Sequence, residues 1–471
     1  MSYAPILRFL AMSLFAVAAA TVVPFLIALA IPGEEPGSFA AALFLSSFGG
    51  ACFLALSKSL PRVRPMRSGF RELVLALALF WLAVPFAAAM PFIGRAFGPW
   101  DAWFEAVSAL TTTGGWLSEP AARSTISGLL YRASLEWLGG IASLATAAAV
   151  FVRPEFIGIA PPVPPFARGK NDSYLRAFST AIRAFAPVYA GLTVVSFAAF
   201  FIASVPFWEA LSLALSTIAS GGISPIPGGI GGYGPAAVAV ASLTLIASAI
   251  NFVVIARVAI QGSSRLKGGT DPETRAFLLL IVPVGMLYWV SLGAGDWDEV
   301  PKQVANAISM LSTNGTLIGE TPQLTPLLVT AVIGGAAVST AGGIKLLRWL
   351  ITFQRAGQEL WQLTHPGGVL GRKRPALYEF GVWIHTIAFT IVLAALVLTV
   401  AFFGYELELA AATAVAVVTN AGPLLSAVQG STADFIQFPE ELRLVLALGM
   451  IAGRLELILL LLLVDRQFWT A

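Results

Sequence analysis

The sequence predicts an all-α polytopic membrane protein. It reads as about ten transmembrane helices: four helix–pore loop–helix repeats around one central pore, plus two N-terminal helices. Three observations predict this: the composition, a ladder of apolar runs, and a nine-residue pattern that occurs four times. Of the 471 residues, 57% are hydrophobic and only 11% charged, with a mean hydropathy of +0.83. A soluble domain carries about 25% charged residues. So few charges cannot cover a chain this long, and lipid must solvate much of it.

Apolar runs long enough to cross a bilayer, about 20 residues each, fall near 6–31 and 38–57. Eight more lie near 72–93, 124–152, 178–204, 235–260, 275–295, 325–352, 377–404 and 440–464. The first is too long for a signal peptide's apolar stretch, and no A-x-A-like site leads into a soluble domain, so it is expected to remain a helix. Lys58, Arg62, Arg64, Arg67 and Arg71 follow the second run, and Arg153, Arg168, Lys170 and Arg176 the fourth. Arg265, Lys267 and Arg275 follow the sixth, and Arg355, Arg372, Lys373 and Arg374 the eighth. The alternate loops hold only Arg95, Arg123, Lys302 and Arg443. The excess of basic residues places both termini in the cytoplasm. A pI near 9.1 therefore reports topology and not nucleic-acid binding. Glu34, Glu35, Asp101, Asp296, Asp298, Glu299, Glu440 and Glu441 collect on the opposite side. There they either raise the local cation concentration or serve as ordinary solvated loop charges.

The repeated pattern is AVSALTTTG at Ala106–Gly114, ALSTIASGG at Ala214–Gly222, AISMLSTNG at Ala307–Gly315 and AVAVVTNAG at Ala414–Gly422. The copies lie roughly 90 to 110 residues apart, an interval that fits an internal repeat. Each sits between two spans and follows an apolar stretch too short to cross, as in DAWFEAVSAL. Non-helical backbone at membrane depth is tolerated only where protein buries it or it lines a wet cavity. Four copies around an axis satisfy that condition for one another. A short helix aimed inward offers its partly negative end to a cation, and glycine accepts the backbone angles that turn carbonyls toward the axis. The stretch GGISPIPGGIGGYG (221–234) lacks the Lys-Ser/Thr of a nucleotide loop.

These four copies resemble the pore loops of the Trk/Ktr/HKT superfamily of potassium transporters. LYRASLEWLGG (130–140), STAGGIKLLR (339–348) and GRLELILLLL (453–462) resemble its TrkH-type membrane subunit in particular. The resemblance covers essentially the whole chain. It implies potassium uptake through a channel-like selectivity filter, by passive conduction or symport, and no enzymatic activity. The filter carbonyls would come from Thr111, Thr112, Thr113 and Gly114; Ala219, Ser220, Gly221 and Gly222; Ser312, Thr313, Asn314 and Gly315; and Thr419, Asn420, Ala421 and Gly422. The copies SGG, TNG and NAG depart from TTTG and leave the sharpness of discrimination against sodium open, while the four glycines favour potassium. No cofactor is implied, with potassium as substrate. The implied setting is the bacterial inner membrane, as a multi-pass homodimer in lipid with a cytosolic nucleotide-binding regulatory ring. A potassium-conducting subunit of an ATP-driven pump is the alternative. The implied divisions are 1–60 for the two N-terminal helices, 61–155 and 156–264 for repeats one and two, 265–358 for repeat three with its broken second helix, and 359–471 for repeat four.

GGAAVSTAGG (334–343) holds Gly334, Gly335, Gly342 and Gly343. Each costs a helix about 1 kcal/mol against Ala, so the span is expected to break there. The resemblance makes this break a gate loop; close helix packing is the other reading. Lys345 at its end either touches permeating ions or snorkels to the cytoplasm. Arg454 lies deep in the last span, where a charge needs a cavity or a partner. Glu456, two residues on, is expected on a different helix face, and Glu136 is a candidate partner from another helix. The resemblance instead makes Arg454 a positive barrier in the conduction path. His365 and His385 show no metal-ligand spacing and are expected to be structural. Cys52 excludes a disulfide within the chain and is expected as a small buried residue.

Overall fold

Long apolar helices dominate the computed structural model, which describes residues 3–60, 69–93, 98–117, 125–151, 174–226, 229–261, 271–365, 377–428 and 435–470. The basic residues Arg62, Arg64, Arg67, Arg95, Arg123, Arg153, Arg168, Lys170, Arg265, Lys267, Arg372, Lys373 and Arg374 lie outside them. Helices α1 (Tyr3–Ala30) and α2 (Pro36–Ser59) pair, and α1 also packs on the helices that follow. Then one unit recurs: a long helix, a helix of twelve residues, and a second helix. Its first instance is α3 (Phe70–Ala88), α4 (Pro99–Leu110) and α5 (Ile126–Phe151). Next come α6 (Tyr174–Ile202), α7 (Phe207–Ile218), α8 (Pro235–Ala249) and α9 (Phe252–Gln261). The third is α10 (Pro272–Ser291), α11 (Val300–Leu311), α12 (Leu324–Ile333) and α13 (Leu346–Thr364). The last is α14 (Leu377–Phe402), α15 (Leu407–Val418), α16 (Glu440–Arg454), α17 (Leu457–Val464) and the short α18 (Arg466–Thr470).

Of the ten expected spans, seven are continuous helices long and apolar enough to cross a membrane. The other three are not straight. The run near 235–260 bends by 99° between α8 and α9, and the run near 440–464 by 109° between α16 and α17. The run near 325–352 is divided by residues 334–345. The glycines marked the last of these breaks in advance; the two bends, at Ile250–Asn251 and Leu455–Glu456, each put one polar residue into a run whose mean hydropathy stays that of a span.

Large apolar side chains cover the outside: Leu279, Ile202 and Phe402 are 74%, 82% and 87% exposed. Water would penalise that surface, and lipid does not. Cys52 belongs to this outer face, contrary to its expected burial. Helix α2 is peripheral, buried only at Phe39, Ala42, Ser46, Gly50 and Ser57. Several acidic residues hold internal partners: Glu34 accepts from the N–H groups of Ile126 and Ser127, and Asp101 pairs with Arg443 at 3.1 Å.

Candidate ion-conduction site

The helices α4, α7, α11 and α15 are all twelve residues long and end alike. Thr111, Ala219, Ser312 and Thr419 close them as C-caps. The next residue takes a left-handed backbone: φ is 53° at Thr112, 58° at Ser220, 56° at Thr313 and 57° at Asn420. The following N–H then reaches back five residues, Thr113 to Ser108, Gly221 to Ser216 and Asn314 to Ser309 at 2.9 Å, and Ala421 to Ala416 at 2.8 Å. This is a Schellman closure built without glycine. A non-glycine residue there costs of order 1–3 kcal/mol and persists only where its surroundings fix it. Glycine at the ninth position was the expected source of unusual backbone angles. The seventh position supplies them in all four copies, whereas at the ninth only Gly114 (φ 68°) and Gly315 (φ 81°) are left-handed.

The ninth-position glycines serve close approach. A Cβ on Gly114 would lie 2.6 Å from the backbone nitrogen of Gly222, and one on Gly222 would lie 2.9 Å from the Asn314 carbonyl. One on Gly315 would lie 2.9 Å from the Ala421 carbonyl, and one on Gly422 2.6 Å from the Gly115 nitrogen. The contacts therefore run from copy one to two, two to three, three to four, and four back to one. Hydrogen bonds brace this closed ring: Gly422 N–H donates to the Thr113 carbonyl (2.7 Å), Asn420 Nδ2 to Thr113 Oγ1 (2.9 Å), and Asn314 Nδ2 to the Gly221 carbonyl. All sixteen residues assigned to the four turns by resemblance come together here, each fully or almost fully buried.

A second layer fixes the turns from behind. The serine at the third position reaches the strand seven residues on. Ser108 donates to the Gly115 carbonyl (2.8 Å), Ser216 accepts from Ile223 N–H (3.3 Å), and Ser309 bonds Thr316 Oγ1 (3.3 Å). Just before each of two copies stands a polar residue, Glu105 or Asn306, accepting at 2.8 Å from the N–H twelve residues on, of Leu117 or Ile318. Glu105 also pairs with Arg132, which lies 3.7 Å above the Trp116 ring. Glu136 accepts from Ser216 Oγ at 2.5 Å and lies against Gly221. Sequence reasoning passed over Glu105, Asn306 and Arg132, and weighed Glu136 only as a partner for Arg454. Their visible signal was polar residues at fixed offsets within otherwise apolar stretches.

The Gly-rich segment lies against the ring. The span breaks here between α12 and α13, as the four glycines led one to expect, and hydrogen bonds tie the break down. Ala336 and Thr340 N–H donate to the carbonyls of Ala249 and Ser248 (2.8 and 3.1 Å), and Phe252 N–H donates to Val338 (2.8 Å). The end of α8 thus spends its free carbonyls on this loop, which accounts for the bend before α9. Glu273 accepts from Ala337 N–H at 2.5 Å. Thr340 Oγ1 shares a hydrogen bond with Ser220 Oγ (2.9 Å), and Gly342 N–H donates to Thr313 Oγ1 (2.6 Å). Gly334 and Gly343 have φ of 72° and 75° and approach each other's backbone too closely for a side chain. Lys345 is only 7% exposed, and its Nζ donates to the Ala341 carbonyl, so it does not snorkel to an aqueous surface.

Arg454 joins the two parts. Its Nε donates to the Thr111 carbonyl (2.5 Å), Nη1 to the Thr340 carbonyl (2.6 Å), and Nη2 to Thr112 Oγ1. Glu136 is not within salt-bridge distance among the described residues; it bonds Ser216. Glu456, expected on the same continuous helix, instead leaves it with φ 58° and pairs with Arg348 at 2.5 Å. A small cavity of about 30 Å³, enough for a water, lies between Arg454, Lys345, Glu456 and His385. His385 is buried with its Nδ1 3.7 Å from Glu456, while His365 is exposed and stacks on Trp361. No cluster of three or more metal-ligating side chains occurs among the described residues.

The chain is similar over its full length to solved and curated proteins. The crystal structure of the potassium transporter TrkH from Vibrio parahaemolyticus superposes with a TM-score of 0.84, at 27% identity and with 100% of both chains covered. The Trk system potassium uptake protein TrkH of Halomonas elongata is 28% identical, again covering 100% of both chains. The Trk system potassium uptake protein TrkG of Escherichia coli is 28% identical over 89% of each. The TrkH family model, described as a cation transport protein, matches residues 41–294. That match spans over half of the chain, and the chain belongs to the TrkH cation transport family.

Proposed function

We propose that this protein takes up potassium across the bacterial cytoplasmic membrane through the closed ring of four turns. The observation that carries the reading is that ring: four twelve-residue helices with the same left-handed exit, and four glycines in cyclic contact. Carbonyls of Thr111–Gly114, Ala219–Gly222, Ser312–Gly315 and Thr419–Gly422 replace the ion's hydration shell. Gly334, Gly335, Gly342, Gly343, Lys345 and Arg454 form the gate beneath, held to the ring by the Thr340 and Gly342 hydrogen bonds. The repeats divide at 61–155, 156–264, 265–358 and 359–471, after two helices in 1–60. Relatives described as Trk system potassium uptake proteins support this function over that of a pump subunit.

The basic loops support cytoplasmic termini. Resemblance to the superfamily supports a homodimer working with a cytosolic nucleotide-binding ring. Rubidium uptake into liposomes containing the purified chain tests the function. Uptake blocked by excess potassium but not by excess sodium is expected; no uptake above protein-free liposomes refutes it.

A further inference from the structure

A second cavity, with none of the proposed filter or gate residues in its lining, opens between α1, α3, α5 and α6. Its volume is about 810 Å³, within the ~300–1,000 Å³ of pockets that enclose drug-sized ligands. Val17, Phe178, Leu138 and Ile141 give it apolar walls, and it reaches inward to Leu110, the residue before Thr111. Among the described residues, the arginines Arg8, Arg176 and Arg183 line it with exposed side chains, and the acid in its lining, Glu72, is buried. Arg8 stands near the start of α1, and Arg176 and Arg183 near the start of α6, so the cations gather at one end of the helices. The arrangement is an apolar slot with a cationic rim at the membrane surface. A chain-bearing anion satisfies both halves, whereas a soluble anion satisfies only the rim. We propose that this cavity binds an anionic phospholipid of the cytoplasmic leaflet, its phosphate on Arg8, Arg176 and Arg183 and an acyl chain in the slot toward Leu110. The leaflet follows from the proposed topology; the site does not depend on potassium as the transported ion.

The test is lipid retention by the full-length purified protein in detergent, read by native mass spectrometry. Phosphatidylglycerol and phosphatidylcholine of matched chains compete for it. The wild type is expected to retain phosphatidylglycerol preferentially. Basic residues near a membrane surface contribute about 1 kcal/mol each toward anionic lipid, so R8Q/R183Q should lower that preference about thirty-fold. Ala16→Trp, which fills the slot and leaves the arginines in place, should lose both lipids at this site. Equal retention of the two lipids by the wild type overturns the proposal, as does an unchanged preference in R8Q/R183Q. Displacement of the lipid by inorganic phosphate alone would reduce the site to an anion rim and also overturn it. Should R8Q/R183Q fail to fold, the wild-type competition and Ala16→Trp still decide. Because the readout is bound lipid, a failure of the potassium reading would leave this result unaffected.

Discussion

Arg454→Gln is expected to accelerate rubidium flux while leaving the preference for potassium intact. The guanidinium donates at 2.5 Å to the Thr111 carbonyl, which in the proposed filter also faces the ion. An ion on the far side of that oxygen stands ~5 Å from the positive charge, and at an effective dielectric of ~20 the repulsion is about 3 kcal/mol. Each 1.4 kcal/mol is tenfold in rate, so removing the charge should raise flux by on the order of a hundredfold at most. Stability moves the other way. The Thr111 and Thr340 carbonyls and Thr112 Oγ1 lose charged donors, and one buried acceptor left unsatisfied costs about 1–3 kcal/mol. Glutamine keeps enough reach to replace one of the three. The assay is rubidium flux in liposomes and thermal unfolding on the same purified variant. Arg454→Lys separates the two effects, since it keeps the charge but cannot span both carbonyls. If the charge is the barrier, the lysine variant conducts slowly. If the Thr340 link to the gate loop matters more, it conducts as fast as the glutamine variant. Folded Arg454→Gln protein with wild-type flux refutes both arguments.

Three further outcomes are expected. Gly114→Ser and Gly222→Ser should remain folded but lower the rubidium-to-sodium flux ratio, because a Cβ on Gly114 lies 2.6 Å from the Gly222 backbone and the strand must shift. An unchanged ratio in both variants would remove these turns from the conduction path. Deleting Ala336–Ala341, or replacing its residues with leucine, should change basal flux more than ion preference, since the loop lies against the ring and contributes none of its carbonyls. A shifted preference at wild-type flux would contradict the gate assignment. Ser216→Ala takes a donor from buried Glu136 and an acceptor from Ile223 N–H. It should cost about 1–3 kcal/mol, and an unchanged melting temperature would show that the hydroxyl does not support the turn.

Much of this was legible in the sequence because lipid imposes simple rules. Spans must be apolar and about 20 residues long, and backbone that leaves the helix at membrane depth must be small, repeated and enclosed. The four glycine-ended copies obey these rules, so their positions between spans and the presence of a short helix before each followed from periodicity and length, while the common length of twelve residues came from the structure. Hydropathy is blind to direction, however. The 99° and 109° bends fall inside runs that read as single spans by mean hydropathy despite Asn251 and Glu456. They arise where carbonyls at the end of α8 meet the Gly-rich loop, and where Glu456 turns out of its helix to pair with Arg348. The role of glycine was likewise half visible. Sequence alone indicated that four glycines were needed, but tertiary contact decided that Gly222 and Gly422 serve close approach, while Ser220 and Asn420 carry the left-handed turns. The partner of Arg454 lay furthest from reach. A buried guanidinium requires acceptors, and sequence could offer only a carboxylate such as Glu136. The fold instead supplies backbone oxygens of Thr111 and Thr340, from segments 343 and 114 residues away. Every residue carries such an oxygen, so no residue type in the sequence marks which ones a distant helix will meet.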